Sequence, residues 1–129
     1  MTRLLLITLL VLSSGPAYAE WVVVDKKEGV MTTCVDPATI RRKGDLVKVW
    51  ELYDYKTIQT TGYDSSLSNK VLSEYDCSGE CTRVLAFAMY SGNMGNGKVV
   101  DVGSFEGKWS PVLPDSIGQT LWEVACGKP

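Results

Sequence analysis

One stretch near the C-terminus constrains this chain more than any other, because it alone reads as a helix in a sequence of strands and turns. Ser116 stands where a cap is needed, and Gln119, three residues on, completes a capping-box pattern. Ile117, Leu121, Val124 and Ala125 follow at i, i+4, i+7 and i+8, a single apolar stripe at helical period. Gly127 and Pro129 supply the stop. A helix of about 11 residues is marginal alone in water, so it must dock on the rest of the chain. Trp122 lies about 100° beyond Leu121 around the helix, which places it at the edge of the docking face. Cys126, in the last turn, offers a covalent way to fix that docking.

The opposite end gives the address. Met1 to Ala19 holds a basic Arg3, an apolar run from Leu4 to Leu12, and Ala17-Tyr18-Ala19 as a small-x-small cleavage site. The run is short of the roughly 20 apolar residues that span a bilayer. Residues 1–19 are therefore expected to be a signal peptide and 20–129 a single domain, periplasmic or secreted. No cysteine lies near the cut, so no lipid anchor is expected on the new N-terminus. The chain has 13 basic and 15 acidic residues. Without Arg3 the balance is 12 against 15, a net charge of −3 that disfavours nucleic acid as a partner. A domain this small buries a modest fraction of its surface. Its four cysteines, in an oxidising compartment, read as two disulfides, with three connectivities open.

Between the two ends lies β-rich sequence. Trp21 to Asp25 and Val30 to Val35 flank a polar turn, Lys26-Lys-Glu-Gly29, as a hairpin would. Asp36-Pro37 closes that unit, and Thr39 to Asp45 reads as a connector with Arg41-Arg-Lys43 as a small basic cluster. Leu46 to Tyr55 is the longest strand, rich in β-branched and aromatic residues and apolar on both faces. Lys56 to Asn69 is polar and reads as a long loop with room for a short strand. Strands are expected again at Lys70–Cys77, Cys81–Tyr90 and Lys98–Gly103, with the glycine-rich Ser91–Gly97 before the last. The sum is an α+β domain: an antiparallel meander of about six strands with one C-terminal helix packed on it.

Little in this pattern carries catalytic chemistry. The chain has no histidine, which removes Ser-His and Cys-His nucleophile pairs and the commonest zinc ligand. Gly92 to Lys98 has the G-x-x-x-x-G-K spacing of a phosphate-binding loop. Val99 replaces the magnesium-binding hydroxyl, however, and a strand follows where a helix should start. Glu74 and Asp76 share one strand face at roughly 6 to 7 Å, the spacing of paired acids, yet an exposed face explains them as well. Neither enzymatic activity nor a cofactor is expected. Four tryptophans are many for such a domain, and an exposed one would be a binding anchor.

Several stretches resemble the surface-adhesin protein E family of Gram-negative bacteria: Val49-Trp50-Glu-Leu-Tyr-Asp-Tyr55, Glu74-Tyr-Asp-Cys77, Tyr90-Ser-Gly-Asn-Met-Gly-Asn-Gly97, and Trp109 to Ser116 running on to Cys126. The resemblance covers nearly all of residues 20–129. It implies a sheet of about six antiparallel strands whose C-terminal helix is tied down by a disulfide. It also implies binding of host extracellular-matrix or plasma proteins, and a homodimer. Cys77 and Cys126 match the family's pair, and Cys77 ends the strand expected beneath the helix. Cys34 and Cys81 are then left for each other.

The candidate binding surface is Trp50, Tyr53 and Tyr55 on the longest strand with Asn93 and Met94 in the following glycine-rich loop. Two functions compete for it. One is a non-catalytic adhesive binding module. The other is a small periplasmic inhibitor of a lysozyme or protease, working through an inserted Ser91–Gly97 loop. An exposed aromatic patch on the sheet favours the first, and a rigid, protruding Ser91–Gly97 loop the second.

Overall fold

A computed structural model describes residues 20–127. The expected signal peptide and Pro129 lie outside the described residues. Eight strands are described: β1 (Val22–Lys27), β2 (Met31–Val35), β3 (Arg41–Lys43), β4 (Leu46–Thr61), β5 (Asp64–Asp76), β6 (Cys81–Tyr90), β7 (Val99–Ser104) and β8 (Ser110–Pro111). They form one antiparallel sheet in the order β1-β2-β4-β5-β6-β7, with β3 paired to the start of β4 and β8 to the start of β6. Helix α1 (Ile117–Cys126) follows. The architecture is the expected α+β meander with a terminal helix.

Two segments read as loops are strands. The polar stretch after Tyr55 continues the β4–β5 hairpin to a two-residue turn, Gly62-Tyr63, with Thr61 opposite Asp64 and Gln59 opposite Ser66. Gly62, at φ +62°, takes the backbone conformation that the first position of such a turn favours. Residues 56–61 are all exposed, and with Ile58 and Leu67 as their isolated apolar residues the two arms show no apolar alternation. Likewise Arg41–Lys43 pairs with Leu46–Lys48 across the Gly44-Asp45 turn.

The core lies between the helix and one sheet face. Val35, Val47, Val49, Tyr75 and Cys77 meet Leu121, Trp122, Ala125 and Cys126. Cys77 and Cys126 are joined, their Cα atoms 5.6 Å apart and 49 residues apart in sequence. By the chain-entropy model, whose mechanism is disputed, a loop of that length contributes about 4 kcal/mol. The Ser116 hydroxyl accepts the Gln119 N–H at 3.1 Å, and Gln119 Oε1 reaches back to the Asp115 N–H at 2.6 Å. The cap is therefore reciprocal, though its return arm lands one residue earlier than in the standard box.

The docking face is rotated from the expected one. Leu121 and Ala125 are buried, but Val124 is 37 % exposed. Trp122, expected at the edge, is buried, and its indole N–H donates to the Asp76 carbonyl at 3.0 Å. The disulfide turns the Cys126 side toward the sheet. Leu121, Ala125, Trp122 and Cys126 span about 140° around the axis, and Val124 falls outside that arc.

The expected Cys34–Cys81 bond is absent, since both cysteines are free. Cys34 is on β2 and Cys81 on β6, with β4 and β5 between them. Three strand spacings alone amount to about 14 Å, twice the roughly 7 Å Cα limit for a disulfide.

Candidate functional site

Alternation along β4 decides which side chains share a surface. Val47, Val49, Glu51 and Tyr53 face the helix side, while Lys48, Trp50, Leu52 and Asp54 face the other. On that helix-free face, Trp50 lies opposite Leu72, Leu52 opposite Lys70, and Asp54 opposite Ser68. Lys70 and Ser68 are opposite Ala88 and Tyr90 of β6.

An aromatic pocket opens on this face. It encloses about 330 Å³ and is lined by Trp21, Trp50, Tyr90 and Lys70 with Ala88, Asp36 and Thr39. The Lys70 ammonium sits 4.9 Å from the Tyr90 ring centre and 5.9 Å from that of Trp21, at cation–π distance. The three rings are half-buried. The turn after β2 fixes the pocket's rim. Thr39 donates its hydroxyl to the Asp36 carbonyl at 2.7 Å and accepts the Trp50 N–H at 3.0 Å, while Asp36 Oδ1 accepts the Ala38 N–H. Trp50 is thereby held by both its strand and the Pro37–Thr39 turn.

The glycine-rich loop borders the same face. Asn93 Nδ2 donates to Asp54 Oδ1 at 3.0 Å and to the Tyr55 carbonyl at 2.9 Å, and the Met94 N–H donates to Asp54 Oδ1 at 2.8 Å. Ser68 donates its hydroxyl to the Gly92 carbonyl and accepts the Gly95 N–H. A side chain at Gly95 would meet Lys70 Cε at 2.6 Å, so glycine lets the loop lie against the lysine. The loop is fastened down at the end of the aromatic face.

Of the residues picked from sequence, Trp50, Asn93 and Met94 thus border one surface. Tyr53 does not join them. Its hydroxyl turns into the helix side and donates to Glu51 Oε1 at 3.2 Å. Tyr55 shares Tyr53's parity and meets the loop through its backbone carbonyl. Lys70 and Tyr90 were missed, and Trp21 was marked only as one of four tryptophans. The spacing of Lys70 and Tyr90 in their own strands carries no sign of which face of β4 they adjoin.

Glu74 and Asp76, alike in parity, are each engaged by separate partners. Glu74 is buried and bound by Arg83 at 2.7 Å, and Asp76 accepts the Ser78 and Gly79 amides. Those turn bonds hold the Asp76 carboxyl below its usual range, the Gly79 amide contributing most. Glu51 is fully buried with Ser73, Tyr75 and Tyr53 donating to it. Burial pushes its carboxyl up, against those bonds. Among the described residues, no group of three or more His, Cys, Asp or Glu side chains is placed to hold a metal ion.

A model of the surface-adhesin protein E family matches residues 21–127. The chain belongs to that family. No curated protein sequence matches it significantly. Its fold is similar to that of Haemophilus influenzae protein E. Crystal form II is 12% identical, covers 86% of this chain and 97% of its own, and gives a TM-score of 0.59. The selenomethionine form is 11% identical, covers 86% and 95%, and gives 0.61. At such identities the likeness is one of fold, and the pocket's residues stand on their own geometry.

Proposed function

We propose that the chain is an exported, non-catalytic binding module that takes a protein ligand, such as a host extracellular-matrix or plasma protein, on the helix-free face of its sheet. The observation that carries this reading is the pocket of Trp21, Trp50 and Tyr90 around Lys70. Half-buried aromatic rings beside a cation are the chemistry of interface anchors, because they bury much apolar area at little conformational cost. Family membership supports an adhesive role. The loop lies along the sheet, with Asn93 and Met94 bonded to Asp54 and Gly95 against Lys70, and does not protrude as an inserted inhibitory loop would, which favours this reading over an inhibitor.

The test is binding of the purified chain to immobilised matrix and plasma proteins, with lysozyme and protease inhibition assayed in parallel. Trp50→Ala and Tyr90→Ala should each weaken binding about tenfold or more, the loss typical of an interface anchor. Unaltered binding in both variants would overturn the assignment of the face. Inhibition of lysozyme or protease without matrix or plasma binding would replace it with the second reading.

A further inference from the structure

The β3–β4 hairpin carries a charge arrangement that the fold does not require. Arg41 stands directly opposite Lys48, and like charges so placed repel. Lys48 is opposite Glu74, the one carboxylate in this row, and Glu74 is opposite Arg83. Arg83 already engages Glu74, through two nitrogens at 2.7 and 2.9 Å. Among the described residues the ion pairs are those of Arg83 with Glu74 and Glu106, so Arg41, Arg42, Lys43 and Lys48 are in none. Arg42 is partly occupied by the Gly44 and Cys126 carbonyls, and Arg41 by those of Ala38 and Ile40. Arg41, Lys43 and Lys48 share the helix-free side of a pocket of about 430 Å³ that Leu46 and Glu74 also line, while Arg42, opposite Val47, turns toward the helix end. The chain as a whole carries a net charge of −2. Asp45 in the turn and Asp76 opposite Leu46 offset part of this charge, yet cations still predominate, at the cost of a repulsive cross-strand pair. Lys43 and Lys48 gain no ion pair in exchange for the Arg41–Lys48 repulsion, and a local rule so broken is expected at a functional position.

We infer that this pocket binds a linear polyanion, a sulfated polysaccharide. The Cβ atoms of opposite residues Arg41 and Lys48 are about 5 Å apart, and the Cα atoms of Arg41 and Lys43 about 7 Å apart along β3. That spread suits several sulfate groups of one chain better than a single small anion. Arginine adds a planar fork that meets two oxygens of one sulfate, and lysine a point charge. A membrane surface is a poorer match, because Leu46 is the pocket's single apolar side chain and no apolar helix face accompanies the cations. The site uses other residues than the aromatic pocket, so either can fail without the other.

The experiment is titration of the purified chain with a heparin-derived oligosaccharide at stepped sodium chloride concentrations. Saturable binding that weakens as salt rises is expected, because the polyanion's counterions are released. Lys43→Glu with Lys48→Glu should weaken it about tenfold or more and flatten the salt dependence. The same change of charge at exposed Lys26 and Lys27 on β1 should leave it within about twofold, as should Trp50→Ala. Lys43→Gln with Lys48→Gln, a gentler pair, should give a smaller loss in the same direction and guards against misfolding. Absence of binding, equal losses in the two Lys→Glu pairs, or preference for phosphatidylglycerol vesicles over the oligosaccharide would overturn the inference.

Discussion

Leu121→Ala and Val124→Ala together test whether the helix docks by the face the structure gives it or by the stripe its periodicity suggests. Both residues belong to the stripe, yet Leu121 is 3 % exposed and Val124 37 %. Leu121 sits among Val47, Val49, Tyr75 and Trp122 in the core. Cutting it to alanine removes buried carbons and leaves a cavity that the disulfide-tied helix closes only in part. The expected loss is about 2 to 5 kcal/mol, and a mid-range value lowers the melting temperature of a domain this size by about 10 to 15 °C. Val124→Ala removes a largely solvated side chain and replaces a β-branched residue with the best helix former. Its effect should lie within about 0.5 kcal/mol, with either sign. Urea denaturation of both variants, with Cys77–Cys126 intact, measures the two against the unchanged chain. Equal losses would restore the simple stripe, and no loss in either would mean that the disulfide alone holds the helix.

Two further outcomes follow from groups inside the sheet. The folded carboxyl of Glu51 is raised above its unfolded range by burial, so it favours folding fully below about pH 4 and loses that contribution as pH rises through the folded value. Glu51→Gln should therefore gain stability relative to the unchanged chain as pH rises from 4 to 8, and a gain on acidification would show that Ser73, Tyr75 and Tyr53 hold the carboxylate ionised. Thiol titration of the unfolded, unreduced chain should count the two free cysteines, Cys34 and Cys81, and a count of none would restore the second disulfide.

The strands with an apolar face and the helix could be read from the residues, because burial writes itself as periodicity. Where the chain leaves the core, that signal stops. Residues 56–61 of β4 are all exposed, and only ladder hydrogen bonds, turn geometry and β-forming threonines hold them extended. The same limit explains the rotated helix. Periodicity counts Val124 and Leu121 alike, whereas a disulfide at Cys126 and an indole bonded to Asp76 set which side faces the sheet. Cysteine pairing fails for a related reason. Elimination left Cys34 and Cys81 as partners, but strand order put two strands between them, and strand order is not a local property of sequence.

The candidate site was legible only as far as one strand carries. Trp50 could be chosen because β4 alternates, but the same strand offered Tyr53 and Tyr55, which have the opposite parity. The partners that make Trp50 a pocket come from three other places in the chain: Trp21 before β1, Lys70 on β5 and Tyr90 on β6. Registers β4–β5 and β5–β6 bring the last two to that face, and each register is set by what packs on the opposite side. A slip of one residue would send Val47, Val49 and Tyr75 out of the helix contact and turn Lys70 and Tyr90 over. The helix and its disulfide therefore act on the aromatic face without touching it. By fixing the buried parity of the central strands they fix the exposed one, so loss of helix docking should loosen the pocket on the far side of the sheet.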